Sequence, residues 1–381
     1  MTKMILPSAV GTTIGIIGGG QLGRMMALSA RQMGYKVAVL EPGTGSPTAQ
    51  IADIEINAAY DDITALKKLL AVSDVVTYEF ENIPFAAIQE VTASGVGYLP
   101  QGHRPLEITQ NRLREKSAAV QCGLNTAPFA DVSDGPKLRA ALADIGYPSI
   151  LKTVSGGYDG KGQWRLKSES DLPEALEVIQ NAECILEGFA PFDKEISVIA
   201  VRSTTGEVKT FPVFENVHVN GILHLTSVPA VLSDSLAEKA HKLAKDFITK
   251  LDLVGTLAIE MFVVGDEILI NEMAPRPHNS GHLTIDACNV SQFEQHLRAV
   301  CGLPLIEPKV VRPSVMVNLL GQHVEYALEQ WQTSDFSPGH LHLYGKDENV
   351  RDRKVGHITF CDVDTEQLRK IVDLFLINFP E

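Results

Sequence analysis

A short apolar run that stops at clustered glycines and restarts as an amphipathic helix constrains this chain most. Ile14, Ile16 and Ile17 form a buried-strand pattern. Gly18, Gly20 and Gly23 then fit G-x-G-x-x-G, and Gln21 to Met33 carries apolar residues at helical spacing. Gly34 supplies a helix stop, and Tyr35 to Leu40 reads as the next strand. The alternation continues to about Pro100. Strands are expected at Asp53–Asn57, Val75–Tyr78 and Gly97–Leu99, with helices at Ile63–Ala71 and Phe85–Ser94. Such a pattern folds as a doubly wound α/β domain on a parallel sheet. Ligands of such sheets sit beyond the carboxyl ends of the strands, which is where Glu79-Phe-Glu-Asn82 falls. The glycine turn admits two readings. Glu41 lies 18 residues after Gly23, near where an acid would meet an adenosine ribose, but any tight strand-to-helix packing also favours glycine.

The remaining pattern differs. One helix is expected over Thr109–Cys122. Strands follow at Ser149–Thr153 and Gln163–Leu166, joined by a glycine-rich loop, then a helix at Asp171–Asn181 and a strand at Cys184–Glu187. Glu195–Arg202 and Val208–Val213 read as antiparallel strands and Ser235–Leu251 as a long helix. Thr256–Val264 and Ile268–Met273 read as a hairpin about Gly265-Asp266. The final 70 or so residues mix short strands with a helix near Thr365–Leu374. The expected units are 1–104, 105–190, 191–310 and 311–381.

Net charge excludes one class of partner. At −14, the chain is a poor match for non-specific nucleic-acid binding, although a local cationic cluster can still hold a small anion. Five dispersed cysteines without a C-x-x-C pair indicate reduced thiols and no structural zinc. The first residues lack a sustained apolar segment, and no apolar run is long enough for a bilayer, so a soluble cytoplasmic protein is expected.

Three polar segments carry the chemistry. In Ile259–His282, Glu260 and Glu272 stand on adjacent strands of one hairpin, and neighbouring carboxylates can share Mg²⁺. A two-residue turn would oppose Glu260 to Asn271 and send Glu272 to the other face. A longer or bulged connection, the arrangement expected here, brings both glutamates to one face. The run that follows is stiffened by Pro275 and Pro277 and offers Arg276, His278, Asn279, Ser280 and His282 as donors for an oxyanion. In the second segment, Lys152 lies in an apolar strand, where an unpaired ammonium is costly and an anionic partner is required. Gly156, Gly157, Gly160 and Gly162 then form a cover whose N–H groups can close over phosphates, outside the GxxxxGK[ST] pattern. The third segment, Glu187 to Glu195, fits a nucleotide hinge. Backbone there can pair with adenine, and Glu195 can accept from ribose hydroxyls.

In this order, these segments resemble the ATP-grasp superfamily. More closely, GGGQLGRM, YEFEN, SGGYDGKGQ, NEMAPRPHNSGH, YGK and RKVGH resemble the bacterial carboxyaminoimidazole ribonucleotide synthetases of purine biosynthesis, from about residue 14 onward. The resemblance implies an ATP-grasp fold: an N-terminal parallel-sheet domain, a small ATP lid and a C-terminal antiparallel-sheet domain. It implies ATP- and bicarbonate-dependent carboxylation of aminoimidazole ribonucleotide through carboxyphosphate, by a homodimer.

By the same resemblance, Arg112 and Lys152 contact the ATP phosphates under a lid of Gly157, Tyr158, Asp159, Gly160, Lys161, Gly162 and Gln163. Glu187, Gly188, Phe189 and Ala190 form the adenine hinge, Glu195 holds ribose, and His218 lies beside the nucleotide. Glu260 and Glu272 carry Mg²⁺, with Asn271 on the ATP side. The glycine turn then serves the ribonucleotide: Gln21, Leu22 and Glu79 lie close to it, and Tyr158 and Asp159 reach it from the lid. Lys346, Arg353 and Lys354 hold its 5′-phosphate side, and Glu41 becomes an ordinary strand-end acid. Arg276, His278 and Asn279 are the candidates for the bicarbonate and carboxyphosphate pocket, with Lys354 completing the catalytic set. A formate-dependent glycinamide ribonucleotide transformylase would keep the ATP residues and change the one-carbon donor. A nicotinamide dehydrogenase would leave the glutamate pair unexplained, and a nucleotide-binding regulator would not need the Arg276–His282 loop.

Overall fold

The computed structural model describes residues 4–6, 11–157, 161–332, 339–347 and 350–362. The N-terminal alternation folds as β1 (Thr13–Ile17), α1 (Gln21–Gln32), β2 (Lys36–Glu41), β3 (Ile54–Asn57), α2 (Ile63–Val72), β4 (Val75–Tyr78) and α3 (Phe85–Ala93). The strands pair in parallel in the order β3-β2-β1-β4. Successive side chains point to opposite faces, so each strand feeds two cores. Ile14, Ile16 and Val37 pack with Met25 and Met26 of α1, while Ile17, Ala38 and Leu40 pack with Leu66, Leu69 and Ile88 of α2 and α3. The expected strand at Gly97–Leu99 does not form. Tyr98 accepts a hydrogen bond from Val76 N at 2.8 Å, but Gly97 at φ +72° breaks the extended course.

The helix expected over Thr109–Cys122 forms as α5 (Arg112–Gln121), and a separate helix that the sequence did not suggest, α4 (Arg104–Thr109), precedes it. Asn111 separates them: its backbone is extended, and its side chain caps the N–H groups of Leu113 and Arg114. The segment expected as the lid comprises β5 (Phe129–Asp131), α6 (Gly135–Ile145), β6 (Ser149–Thr153), β7 (Gln163–Leu166), α7 (Leu172–Asn181) and β8 (Cys184–Gly188). Its antiparallel sheet, β5-β8-β6-β7, packs Leu151 and Leu186 against Leu138 and Leu142 of α6.

The largest sheet is assembled from β9 (Lys194–Arg202), β10 (Val208–Thr210), β11 (Phe214–Val219), β12 (Ile222–Val228), β13 (Gly255–Val264) and β14 (Glu267–Ala274). The strand expected to run to Val213 stops at Thr210. The β11–β12 hairpin was not among the sequence expectations, although its turn is Asn220-Gly221 with φ of +51° and +79°, the residue pair suited to a two-residue hairpin. On one face lies α8 (Asp234–Lys250), whose Ala240, Ala244 and Phe247 pack on Val198, Leu257 and Ile259. After α9 (Thr284–Ala287) and α10 (Gln292–Val300) come β15 (Ser314–Leu320), α11 (Val324–Trp331), β16 (Gly339–Leu343) and β17 (Lys354–Cys361). These last strands extend the same sheet, giving β14-β13-β9-β11-β12-β15-β17-β16 with β10 beside β9. The helix expected at Thr365–Leu374 lies outside the described residues. Among the described residues, no helix is long and apolar enough to cross a membrane.

Candidate active site

A cleft of about 1190 Å³ is lined from all three sheets, with Gln21, Glu79, Lys152, Glu187 and Lys354 among its walls. Its centre is the β13–β14 hairpin. The turn is the two-residue kind, with Val264 opposite Glu267, and that register alone would hide Glu272. A bulge intervenes: Met261 pairs with Ile270, Glu260 pairs with Glu272, and Asn271 is the extra residue. Both glutamates therefore face the cleft, as does Asn271. Burial pushes the Glu260 carboxyl up, His218 opposes the shift, and the second negative charge on Glu272 adds to it. A pair of hard oxygen donors held together against their own repulsion fits a divalent cation such as magnesium.

On the β5-β8-β6-β7 sheet, Lys152 finds the anionic partner its burial requires in Glu187, at 3.0 Å. Lys116 reaches the same carboxylate oxygen at 3.3 Å, while Glu187 Oε1 is buried without a partner among the described residues. Arg112 donates to Glu272 at 3.1 Å and to the carbonyl of Gly157 at 3.5 Å. Of the hinge, Gly188 and Phe189 have already donated their N–H groups to Pro128 and Pro148, so Ala190 is the position not committed to those carbonyls. Glu195 is hydrogen-bonded to His218 Nδ1. Burial opposes the charge on His218, but the Glu195 hydrogen bond and the charges of Glu260 and Glu195 overcome it and hold the imidazole pKa up. Lys161 and Gln163 line the cleft, but Gly162 does not. Tyr158, Asp159 and Gly160 lie outside the described residues.

The polar loop after β14 is partly committed to internal partners. Arg276 was expected as an open donor, yet its Nε and Nη2 both go to Glu81, the latter at 2.9 Å, and its Nη1 goes to the carbonyl of Pro277 at 3.1 Å. Asn279 is the opposite case: both atoms of its amide are buried and have no partner among the described residues, while the residue lines the cleft. His278 Nε2 lies 3.3 Å from Glu260. Burial, then the charges of Arg276 and Lys354, hold the His278 pKa well below the usual range, so this is a neutral ring beside a carboxyl. His282 is kept neutral chiefly by burial and packs on His357 and Tyr344. Asp286, His342 and His357 also converge, but the two imidazoles stack face to face at 4.5 Å and 17°, so their in-plane lone pairs cannot meet at one ion.

At the far end, Lys346, Arg353 and Lys354 all line the cleft, together with Arg351, which the sequence reading did not select. Gln21 and Leu22 also face it. Glu79 accepts from the N–H groups of Gly20 and Gly23, the latter at 2.6 Å, so it caps the start of α1. Burial raises its pKa to about 7 against the pull of those two N–H groups. Glu41 accepts from Gly19 N at 2.7 Å and from the Tyr60 hydroxyl, so it is a second internal anion for the turn rather than an ordinary strand-end acid. A Cβ on Gly18 would lie 2.3 Å from Glu79 Cγ, and one on Gly19 would lie 2.7 Å from Glu41 Cγ. The glycines thus make room for the protein's own carboxylates, which occupy the place a pyrophosphate would need.

Known proteins resemble the chain along nearly its whole length. Residues 11–110 match the ribonucleotide synthetase preATP-grasp domain, 117–293 the ATP-grasp domain, and 314–371 the phosphoribosylaminoimidazole carboxylase C-terminal domain. The chain is 49% identical over 362 residues to N5-carboxyaminoimidazole ribonucleotide synthase of Bacillus subtilis (strain 168), covering 94% of this chain and 93% of that protein. Its structure matches the ADP complex of an N5-carboxyaminoimidazole ribonucleotide synthetase over 100% of both chains, with a TM-score of 0.95 and 52% identity. It also matches the Aspergillus clavatus enzyme in complex with ADP and 5-aminoimidazole ribonucleotide, with a TM-score of 0.88 and 31% identity over 96% of this chain and 98% of that one. The chain belongs to the N5-carboxyaminoimidazole ribonucleotide synthase family of ATP-grasp ligases.

Proposed function

We propose that this cleft carboxylates the amino group of 5-aminoimidazole ribonucleotide with bicarbonate and ATP, releasing ADP and phosphate. The observation that carries this reading is the bulge at Asn271, which sets Glu260 against Glu272 in the same cleft as Arg112 and Lys152. Adenine lies along the Glu187–Ala190 hinge, where Ala190 N–H donates and the unpartnered Glu187 Oε1 accepts. Glu195, fixed by His218, accepts from the ribose, while Arg112, Lys152 and the 157–163 loop hold the phosphates. Glu260 and Glu272, with Asn271 beside them, hold magnesium, whose charge when bound neutralises the oxygens of the phosphoryl group in transfer.

A bicarbonate oxygen attacks the γ-phosphorus as the bond to the ADP oxygen breaks, which yields carboxyphosphate and ADP. The buried amide of Asn279 orients the carboxyl end, and neutral His278 lies beside it without adding to the charge of Arg276 and Lys354. Arg276 shapes the pocket through Glu81. The substrate amine then attacks the carboxyl carbon, or CO₂ released from it, and phosphate departs with the oxygen that came from bicarbonate. Enclosure matters, because water destroys carboxyphosphate before the amine can capture it. Gln21, Leu22 and Glu79 bound the ribonucleotide, Tyr158 and Asp159 are assigned to it by the resemblance alone, and Lys346, Arg353 and Lys354 hold its 5′-phosphate. The units 1–104, 105–190, 191–310 and 311–381, a homodimer and a cytoplasmic setting complete the reading.

The test is isotopic. With ¹⁸O-labelled bicarbonate, one labelled oxygen should appear in inorganic phosphate for each carboxylated product. Phosphate free of label would exclude carboxyphosphate.

A further inference from the structure

The inner face of α5 carries more charge than the nucleotide needs. Arg112, Glu115, Lys116 and Ala119, at i, i+3, i+4 and i+7, are all buried. Arg112 reaches Glu272 directly, but the next two side chains go to the backbone. Glu115 Oε1 accepts from Met273 N at 2.5 Å, and Lys116 Nζ donates to the carbonyl of Ile270 at 3.4 Å. Asn125, just past the helix, accepts from Ile270 N at 2.8 Å. These contacts bracket the bulged residues Asn271 and Glu272. Their strand, β14, is the edge of the largest sheet among the described residues, where a single parallel bridge from Thr126 to Ile270 is the backbone pairing on its outer side. A bulge is the place where a ladder loses pairing, and here the Glu115 and Lys116 side chains join the backbone of Asn125 and Thr126 in supplying partners.

We propose that Glu115 and Lys116 are positioning residues, which hold the β14 bulge and thereby keep Glu272 on the same face as Glu260. The inference rests on the reading that those two glutamates serve the nucleotide phosphates and their cation. The register itself supplies the logic. Without the extra residue, Glu260 would oppose Asn271, and Glu272 would point to the other face. Lys116 has a second tie, to Glu187 beside Lys152, so one helix face sets both the carboxylate pair and the lid lysine that flank the phosphates.

The variants to compare are Glu115→Ala, Glu115→Asp and Glu115→Gln. The amide oxygen of Gln can still accept from Met273 N, the shorter Asp side chain is withdrawn from it, and Ala offers nothing. Hydrogen exchange should speed up in the 270–274 segment for Ala and Asp but not for Gln. ADP binding should need about tenfold more Mg²⁺ for Ala and Asp, with Gln close to wild type. The requirement for the ribonucleotide should not move. If the alanine variant does not fold, the aspartate variant carries the comparison. Unchanged exchange and Mg²⁺ dependence in the aspartate variant, or a Gln variant as impaired as aspartate, would overturn the proposal. Glu272→Gln separates the two levels: near-normal Mg²⁺ dependence there would overturn the metal-site reading, whatever Glu115 does.

Discussion

Two glycine-rich turns in this molecule invite an anion, and they answer the invitation differently. At Gly18–Gly23 the N–H groups of the helix start are taken by Glu79 and Glu41, carboxylates from the protein's own strand ends. In the lid, Gly157 stands in a cleft whose nearby cations, Arg112 and Lys152, belong to other strands and helices. The first turn is closed by the protein's own carboxylates. In the second, Gly157 lines the cleft with the Arg112 guanidinium beside it, and no carboxylate of the described residues lies against its Cα. Glycine spacing alone reports that backbone comes close to something anionic. Whether that partner is a ligand depends on which side chains converge from distant parts of the chain.

The contrast can be broken most sharply at the open end. Glu272→Gln should lower ADP formation at least about 100-fold, a loss of roughly 2.7 kcal/mol in transition-state stabilisation. Its melting temperature should stay near wild type, and near-normal turnover would remove Glu272 from the site. At the closed end the effect should be on stability. Gly18→Ala forces φ +106° on a residue with a Cβ and pushes it into Glu79, so denaturant titration should show a loss of about 2–4 kcal/mol. ATP affinity of the folded fraction should be unchanged; a proportionate loss would mean that the turn serves the nucleotide after all. Lys354→Ala should raise the apparent ribonucleotide requirement about tenfold and leave that for ATP alone, as expected for one charge-assisted contact. An unmoved ribonucleotide requirement would place the 5′-phosphate elsewhere.

The two regions should also respond oppositely to acid. No histidine occurs before His103, whereas burial depresses the pKa of His278, His282, His357 and His296, the last to about 3. The unfolded chain protonates these groups first, so their contribution is present in full above pH 6.5 and is progressively lost as pH falls below it. Glu79 works the other way. Its native pKa of about 7 lies above the ordinary 4.5, so the native state binds its proton first and gains stability as pH falls from 7 towards 4.5. Denaturation profiles between pH 7.5 and 5.5 should fall for wild type. The fall should be steeper in Glu79→Gln and shallower in His296→Gln. An unchanged slope in Glu79→Gln would show that its proton is not linked to folding.

Much of this was legible where the signal is local. Val75–Tyr78 could be read directly, because buried strands bounded by polar residues carry their own pattern. The pairing of Glu260 with Glu272 could be posed as a question of register. What placed the bulge at Asn271 was less local: α5 holds the strand from its outer side. Glu115 and Lys116 were within reach, since they share a helical face with Arg112. The Asn220-Gly221 turn signal also stood in plain sight. The Arg276–Glu81 pair and the Glu79 cap were not legible. They join residues 195 and 56 positions apart, and no periodicity encodes such a meeting.

The central claim is that one cleft couples ATP cleavage to carboxylation of the ribonucleotide. It is tested most directly by ADP release from Mg-ATP with bicarbonate and 5-aminoimidazole ribonucleotide each omitted in turn. Full release should require both. Release that persists without bicarbonate, at the rate seen with all components present, would contradict it.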